Sequence, residues 1–246
     1  MKEWITGRNP VIEVLQAKRR QVFRLLFATG IEEKDKIVEM RRLAQARKIP
    51  IETVPREKLN KLAENPQGVA LEVSAYPYVD ISDILDCAKE RGEELFVLVL
   101  DVIQNPQNLG TLLRTAEASG IHGVIIPQHR SAEVTPAVVT ASAGASEHML
   151  IAQTNIARAL EDLKKEDAWV VGLEGGEGAK PVQDVPLAGP LALVVGNEGE
   201  GMRQLVRESC DHLMALPMRG HIESLNAAVA GSIAIYLALL ERAKKK

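Results

Sequence analysis

Two asparagines and an arginine follow an apolar segment of the chain, where their side chains could bind or orient a polar ligand. The stretch reads DVIQNPQNLGTLLR and runs from Asp101 to Arg114. Pro106 and Gly110 predict a tight turn after the segment, and we expect Asn108 to cap the helix that follows.

Arg114 is predicted to lie on the side of this helix that faces away from the core. The apolar side carries its leucines, whereas Arg114 is flanked by small residues that leave space around a guanidinium. The space around Arg114 therefore suits the binding of a phosphate or another anion. The alternative is a surface arginine paired with Glu117, three positions further along the helix.

A second group of candidate residues lies where the apolar run LALVV meets the glycine-rich loop GNEGEG, residues 196–201. Glycines permit positive φ angles and a close approach of backbone to a ligand. Their spacing differs from the dinucleotide fingerprint, and Glu198 and Glu200 would repel a pyrophosphate at the helix that follows. The loop therefore favours an uncharged or cationic ligand held by the main chain, and argues against NAD or ATP.

The third group follows another strand pattern, in LPMRGHIESLN, residues 216–226. A proline–glycine turn leads into an apolar helix, with Ser224 as its expected cap. Simple capping accounts for Ser224 but not for Asn226, which is predicted to lie inside the helix. Ligands of open α/β sheets sit beyond the carboxyl ends of the strands, so the three groups are expected to meet in one site.

The elements that position these residues alternate between helix and strand. In residues 1–75 the pattern predicts a small α/β unit that opens with a helix capped by Asn9 and continued by Pro10. Ala75–Tyr78 reads as a linker. We therefore expect one domain over 1–75, a linker and leading helix over 76–94, and a second domain over 95–246.

Apolar segments without polar alternation predict that the second domain is built on a parallel sheet covered on both faces. The predicted strands are ELFVLVLD, HGVIIP, MLIAQ, AWVVGLE, LALVVG and HLMALPM. The final segment, LNAAVAGSIAIYLALL, has 16 residues, whereas a bilayer span needs about 20 strongly apolar ones. It is predicted to be buried in the core or in a subunit interface rather than in a membrane.

Composition narrows the class of protein. Hydrophobic residues make up 46% of the 246-residue chain, which excludes a disordered protein, and aromatics only 3%, which argues against stacking platforms for single-stranded nucleic acid. The two cysteines, Cys87 and Cys210, lie far apart and predict a reducing, cytoplasmic setting without a disulfide framework or a metal site. The start of the chain lacks the apolar stretch of a signal peptide.

Charge is distributed unevenly along the chain. Residues 1–75 contain 15 Lys and Arg against 10 Asp and Glu, whereas residues 76–246 contain 15 against 23. A basic module before an acidic one suits a polyanion-binding domain attached to a catalytic body. A chance excess of basic residues on solvated helices is the alternative.

The three motifs, in this order, resemble those of the SpoU (TrmH) family of SPOUT-class RNA 2′-O-ribose methyltransferases. The matching segments are NPQNLGTLLRTA, LALVVGNEGEGM and LPMRGHIESLNAAVA. Residues 1–75, with GRNPVIEVL near the start, resemble the family's substrate-binding domain, which is related to the kink-turn-binding ribosomal proteins. That domain implies the branch that methylates a guanosine of bacterial large-subunit (23S) ribosomal RNA.

The resemblance also implies the site and the assembly. It implies a catalytic group of Asn108, Arg114, Glu198, Ser224 and Asn226, and S-adenosyl-L-methionine bound by Gly196, Gly201, Leu216, Met218 and Leu225, with no metal. It further implies a C-terminal trefoil knot and a homodimer formed through the methyltransferase domain. Neither the knot nor the dimer follows from residue patterns.

Several alternatives stay open at this point. The substrate could be tRNA or a different nucleotide of ribosomal RNA. The protein could also be an inactive RNA-binding relative, although the residues that such a relative would be expected to lose are present. A nucleotide-binding oxidoreductase is disfavoured by the glycine spacing. Arg114 could deprotonate the hydroxyl or remain charged and stabilise the alkoxide, and arginine's pKa above about 12 makes the first role difficult.

Overall fold

A computed structural model describes residues 2–176, 178–222 and 224–244. The strands are β1 (Lys2–Thr6), β2 (Val22–Ala28), β3 (Ile51–Val54), β4 (Val69–Ser74), β5 (Phe96–Leu100), β6 (Gly123–Pro127), β7 (Ile151–Thr154), β8 (Trp169–Leu173), β9 (Lys180–Pro181), β10 (Leu191–Val195) and β11 (His212–Ala215). The α-helices are α1 (Arg8–Ala17), α2 (Asp35–Ala46), α3 (Arg56–Asn60), α4 (Ile81–Arg91), α5 (Pro106–Ala118), α6 (Pro136–Ala141), α7 (Ile156–Lys165), α8 (Gln204–Glu208) and α9 (Ala227–Ala243). The six strands predicted for the second domain are present as β5, β6, β7, β8, β10 and β11, whereas the two-residue β9 was not predicted, and β1 precedes the helix with which the first unit was predicted to open.

The chain forms two compact units. Unit 1 comprises the described residues up to Pro77 together with Glu133–His148, and unit 2 comprises Tyr78–Ala132 together with the described residues from Met149 onward. The division after Pro77 lies close to the predicted boundary at 75. The segment 133–148, which the sequence analysis assigned to the second domain, instead packs with the first.

Unit 1 is built on a four-stranded sheet in the order β1-β4-β2-β3. β4 pairs antiparallel with β1 and β2, and β2 pairs parallel with β3. Helix α1 begins at Arg8 after Gly7, whose φ is 90°. Asn9 therefore lies inside the first turn of the helix, and its predicted capping role is wrong.

A buried arginine fastens segment 133–148 to unit 1. Arg20 donates two parallel hydrogen bonds to Glu147, from Nε to Oε2 and from Nη2 to Oε1, both of 2.9 Å. Its Nη1 also donates to Glu3 at 2.7 Å and to the Ser74 carbonyl at 3.1 Å. Nearby, the buried Tyr76 hydroxyl donates to the carbonyl of Ser146, so residues 75–77 of the predicted linker are a packed part of unit 1.

Replacing Arg20 by methionine is expected to lower the free energy of unfolding by about 3 kcal/mol, because it leaves the carboxylate of Glu147 buried without a partner. Burial raises the pKa of Glu147 and the charge of Arg20 opposes that shift, so removing Arg20 raises the pKa further, and the variant loses more stability as pH rises through it. The loss should therefore be larger at pH 8 than at pH 5. Urea denaturation at both values measures it.

The double variant Arg20→Met, Glu147→Gln provides the control for this effect. Since it removes both charges, it should recover much of the lost stability. A single Arg20 variant as stable as the wild type at pH 8 would show that the ion pair does not hold the segment.

Unit 2 is built on a seven-stranded sheet in the order β7-β6-β5-β10-β8-β11-β9. Every neighbouring pair is parallel, which confirms the predicted parallel sheet. The central strands β5 and β10 are buried at every position, so both faces of the sheet are covered. All described strands of this sheet therefore end at one edge.

Two helices of unit 2, α5 and α9, pack against each other beside β10. A Cβ at Gly231 of α9 would lie 2.6 Å from Leu112 Cδ2 of α5, so this close approach requires glycine. Thr115 and Ser232 form a hydrogen bond of 2.9 Å across the same contact. The motifs at the start of each helix are thereby held side by side.

Helix α9 has one buried face and one exposed face. Gly231, Ala234, Ile235 and Ala238 are buried, whereas Val229, Ile233, Tyr236 and Leu240 are 41–59% exposed. The prediction of burial is confirmed for one face only. No helix within the described ranges is long and apolar enough to cross a membrane.

Candidate active site

The ends of β8, β10 and β11 surround a cavity of about 220 Å³. Parallel strands end at the same edge of the sheet, so the loops that follow them meet there. The lining residues are Leu173, Glu174, Gly175, Val195, Gly196, Asn197, Glu198, Gly201, Met214, Leu216, Met218, Ser224, Leu225, Ala227 and Ala230. The walls combine apolar side chains with main chain and two carboxylates.

The structure brings together the residues expected to bind the cofactor. Gly196, Gly201, Leu216, Met218 and Leu225 all line the cavity. The loop itself requires glycine at position 196, because a Cβ there would lie 2.5 Å from the backbone of Gly201 and Met202. Gly196 allows the loop to close on itself, and Asn197 and Gly201 complete the closure through two backbone hydrogen bonds of 3.0 Å.

Three of the predicted catalytic residues form a hydrogen-bonded cluster. Asn108 Nδ2 donates to Glu198 Oε1 at 2.7 Å, and Asn226 Nδ2 donates to the same oxygen. Asn226 Nδ2 also lies 3.2 Å from Asn108 Oδ1, and the amide N–H of Ala227 donates to Glu198 Oε1 at 3.2 Å. Glu198 thus connects the beginnings of α5 and α9 to the glycine-rich loop.

The caps of the two helices differ from the prediction. Asn105, not Asn108, caps α5, since its side chain accepts from the Gln107 N–H at 2.8 Å. Asn226, not Ser224, caps α9 by accepting from the N–H groups of Ala228 and Val229. Asn108 and Ser224 are therefore free of capping, and Ser224 lines the cavity as an exposed residue.

A second opening of about 250 Å³ lies on the other side of the cluster. It is lined by Ile103, Gln104, Asn105, Asn108, Asn197, Glu198 and Gly199. Asn197 and Glu198 line both spaces, so these two side chains form the wall between them. The cluster is therefore accessible to one ligand from each side.

Arg114 is the predicted site residue that the structure leaves outside this arrangement. It is exposed on α5 and lines neither space. It has no hydrogen bond or ion pair with any residue that the structure describes, Glu117 included, so the alternative of a surface pair is not observed. The guanidinium is available to an external anion.

Asp101 and Arg203 belong to the site's framework and were not predicted. Asp101 is fully buried at the end of β5 and accepts from the backbone N–H and the Nε of Arg203, both at 2.8 Å. This pair fastens the end of the glycine-rich loop to the strand that leads into α5. The sequence feature that could have identified Asp101 is a carboxylate directly after a buried strand.

Val102, next to Asp101, has a φ of 62°, a conformation that is strained for a β-branched residue. The Nδ2 of Asn197 donates to the carbonyl of Val102 at 3.0 Å, and the Oδ1 of Asn197 accepts from the Gly199 N–H at 2.8 Å. Asn197 thus connects the loop that follows β5 to the glycine-rich loop. Among the described side chains, no group of three or more His, Cys, Asp and Glu residues could hold a metal ion.

Two family models match the chain. Residues 95–236 match the SpoU rRNA Methylase family, and residues 4–79 match the RNA 2′-O ribose methyltransferase substrate-binding domain. Among curated proteins, YacO of Bacillus subtilis, assigned to the TrmH family of tRNA/rRNA methyltransferases, is 40% identical over 95% of this chain and 94% of its own length.

Solved structures share the fold over nearly the whole chain. AviRb, a SpoU methyltransferase from Streptomyces viridochromogenes crystallised with AdoMet, has a TM-score of 0.81 at 23% identity and covers 99% of this chain and 91% of its own. An AdoMet-bound rRNA methyltransferase from Sinorhizobium meliloti has a TM-score of 0.78 at 22% identity, covering 98% and 87%. The TrmH/SpoU tRNA-modifying enzyme of A. aeolicus covers only 62% of this chain and 77% of its own, with a TM-score of 0.55 at 25% identity.

Unit 2 combines a parallel sheet with a cavity at the carboxyl ends of its strands. The family models and the curated relative match the chain along nearly its whole length. Together these findings define the class of protein as an RNA methyltransferase. The chain belongs to the SpoU rRNA Methylase family, which includes the TrmH proteins.

Proposed function

We propose that the protein transfers a methyl group from S-adenosylmethionine to the 2′-hydroxyl of a ribose, in a guanosine of large-subunit ribosomal RNA. The observation that carries the proposal is the Asn108–Glu198–Asn226 cluster, which lies between the cofactor cavity and a second opening. A methyl donor on one side and a ribose on the other would meet at this cluster.

The cavity beside β10 suits S-adenosylmethionine, the cofactor of this family. Leu216, Leu225 and Met214 provide an apolar wall for an adenine ring, and the backbone from Gly196 supplies hydrogen-bonding groups. The carboxylates of Glu174 and Glu198 favour a cationic sulfonium over a polyphosphate. When bound, the cofactor would supply a methyl group to the ribose oxygen, leaving as the neutral thioether, and the hydroxyl proton would pass to solvent water.

The cluster's contribution is to orient the ribose. Glu198 Oε1 already accepts three N–H groups, which fixes the orientation of the carboxylate. Asn108 lines the ribose side and Ser224 the cofactor side. The hydroxyl of Ser224 and the second N–H of the Asn108 amide, whose other N–H is held by Glu198, can align the reacting oxygen.

Arg114 supplies the positive charge that the developing alkoxide needs. Its guanidinium has no partner among the described residues, so it can bind the substrate's ribose and phosphate. A guanidinium stays charged at neutral pH, which favours electrostatic stabilisation over proton abstraction.

The choice of ribosomal RNA rests on unit 1. Its first 75 residues carry the excess of basic residues, and the substrate-binding model matches 4–79. The S. meliloti rRNA methyltransferase aligns with 98% of the chain, whereas the tRNA-modifying enzyme aligns with 62%. Comparing methylation of unmodified 23S ribosomal RNA and tRNA transcripts tests the choice, and mapping ribose methylation in a deletion strain identifies the nucleotide.

A cavity in unit 1 provides a contact surface for RNA. Arg8, Arg56, Asn60, Asn65 and Gln67 are among its lining residues. Arg56→Glu should raise the Kd for 23S ribosomal RNA at least tenfold and reduce the salt dependence of binding, because a phosphate contact is lost and a repulsive charge is added. Filter binding at several salt concentrations measures both.

Arg91→Glu is the matched control for this substitution, since it makes the same charge change on an exposed residue of unit 2. It should leave the Kd within twofold. Equal effects of the two substitutions would show that unit 1 acts through net charge alone. Deleting residues 1–75 is a poorer test, because segment 133–148 would lose its partner.

The active form in this proposal is a cytoplasmic homodimer with a knotted C-terminus. After β11 the chain returns across β8 and places α9 against β10 and α5. A C-terminal knot requires the end of the chain to follow such a path. The exposed stripe on α9 supplies an apolar surface for the second subunit. Arg114 lies beside this surface, because its neighbour Thr115 contacts α9.

Ile233→Asp should convert the dimer to a monomer and reduce methylation strongly, because it introduces a charge into the middle of the stripe. Light scattering after gel filtration gives the mass of each form. Lys89→Asp on α4 is the control and should remain dimeric. A wild-type protein that is monomeric at micromolar concentration would refute the assembly.

A further inference from the structure

The ends of β6 and β7 surround a cavity of about 390 Å³ that the proposed reaction does not use. It lies at the same edge of the parallel sheet as the active site, on the other side of β5. The lining residues are Pro127, Gln128, His129, Arg130, Thr154, Asn155, Ile156, Ala157, Arg203, Leu205 and Val206.

The lining is basic. It includes Arg130, Arg203 and His129, and no Asp or Glu is among the described lining residues. Arg203 is bound to Asp101, whereas neither Arg130 nor His129 has a hydrogen bond or ion pair with a described residue. The first turn of α7 adds backbone N–H groups at Ile156 and Ala157, at the positive end of the helix.

One further feature indicates a ligand larger than a simple ion. Leu205 is 63% exposed beside the charged groups, which gives the cavity an apolar surface on which a base can lie. Arg130 has a φ of 61°, a strained conformation that directs the chain at the end of β6. Guanidinium, backbone N–H groups and an apolar patch together match the chemistry of a nucleotide.

Arg203 connects this cavity to the active site. Arg203 lines the cavity, and its guanidinium binds Asp101. Asp101 immediately precedes Val102, whose carbonyl accepts a hydrogen bond from Asn197 in the wall of the ribose opening. A strand that places one ribose at Asn108 can therefore continue along the same edge of the sheet toward Arg130.

We infer that this cavity binds the phosphodiester of an RNA nucleotide adjacent to the methylated one, with Arg130 as the principal contact. This inference rests on the proposed function, because it assumes an RNA strand at the active site. It assigns to unit 2 a substrate contact of its own, in addition to that of unit 1.

The test is Arg130→Ala in the full-length protein, with unmodified 23S ribosomal RNA as the probe. Alanine retains the Cβ, so the backbone strain is equal in both proteins. We expect the KM for RNA to rise about tenfold, with a smaller change in kcat and an unchanged Kd for S-adenosylhomocysteine. The slope of log Kd against log salt should decrease by about 1, as expected for one lost phosphate contact.

Arg130→Lys and Arg91→Ala complete the experiment. Lysine should restore most of the affinity, because it can contact a phosphate as a point charge. Arg91 is an exposed arginine at the end of α4, near the opposite edge of the sheet, and its removal should leave KM unchanged. Arg130→Ala with the KM and salt slope of the wild type would overturn the inference, whereas a wild-type protein that methylates no RNA would overturn the proposed function instead.

Discussion

Replacing Arg114 by alanine will lower methyl transfer by about 10³-fold, the loss expected when a charged group that stabilises the transition state is removed. Folding and affinity for S-adenosylmethionine should be retained, because Arg114 is exposed on α5 and does not line the cofactor cavity. Single-turnover methylation measures the rate, and calorimetric titration measures cofactor affinity.

Arg114→Lys distinguishes the two roles of the side chain. Lysine has an ordinary pKa of about 10.4 and deprotonates more readily than arginine, so a residue acting as base should keep an activity that rises with pH. A guanidinium that orients ribose and phosphate through two donors should be replaced poorly by lysine at every pH. We expect the second result.

Glu117→Ala is the control for both Arg114 variants, because Glu117 lies on the same helix and makes no ion pair with Arg114. It should methylate RNA at the wild-type rate. Near wild-type turnover by Arg114→Ala would show that the arginine is an ordinary surface residue, and the catalytic assignment would have to be rebuilt.

Replacing Glu198 by alanine is expected to have the second largest effect. Its Oε1 accepts from the side chains of Asn108 and Asn226 and from the backbone of Ala227, so its removal disconnects the glycine-rich loop from the beginnings of α5 and α9. We expect kcat/KM to fall about 100-fold, a size typical of losing the alignment of reacting groups. Cofactor affinity should fall by roughly tenfold, because Glu198 also lines that cavity.

Two variants show whether this effect is specific. Glu198→Gln keeps a carbonyl acceptor and should retain more cofactor affinity than alanine. Glu200→Ala removes an exposed carboxylate of the same loop that has no hydrogen bond to a described residue, and should change neither quantity. Equal losses for Glu198→Ala and Glu200→Ala would mean that loop charge, not the cluster, is responsible.

The parallel sheet of unit 2 could be predicted because its signal is local. Each strand, such as Leu191–Val195, is a short apolar run, and burial on both faces removes polar alternation. The meeting of the three motifs followed from a topological rule for such sheets. Asn108 and Glu198, which are 90 positions apart, accordingly lie within hydrogen-bonding distance.

What could not be predicted depends on long-range contacts or on small shifts in helix boundaries. Segment 133–148 belongs to unit 1 because Glu147 binds Arg20, 127 positions away, and no local pattern carries that information. Asn226 lies one position before α9 rather than inside it, which turns an unexplained polar residue into a cap. The strained φ of Val102 likewise depends on its distant partner Asn197.

The central claim is that the site methylates a ribose oxygen. Its most direct test is to incubate the protein with S-adenosylmethionine and unmodified 23S ribosomal RNA, digest the RNA to nucleosides and identify the methylated product by mass spectrometry. The account predicts 2′-O-methylguanosine, absent when Arg114→Ala replaces the wild type. A nucleoside methylated on its base, or unmodified RNA in the presence of bound cofactor, would contradict it.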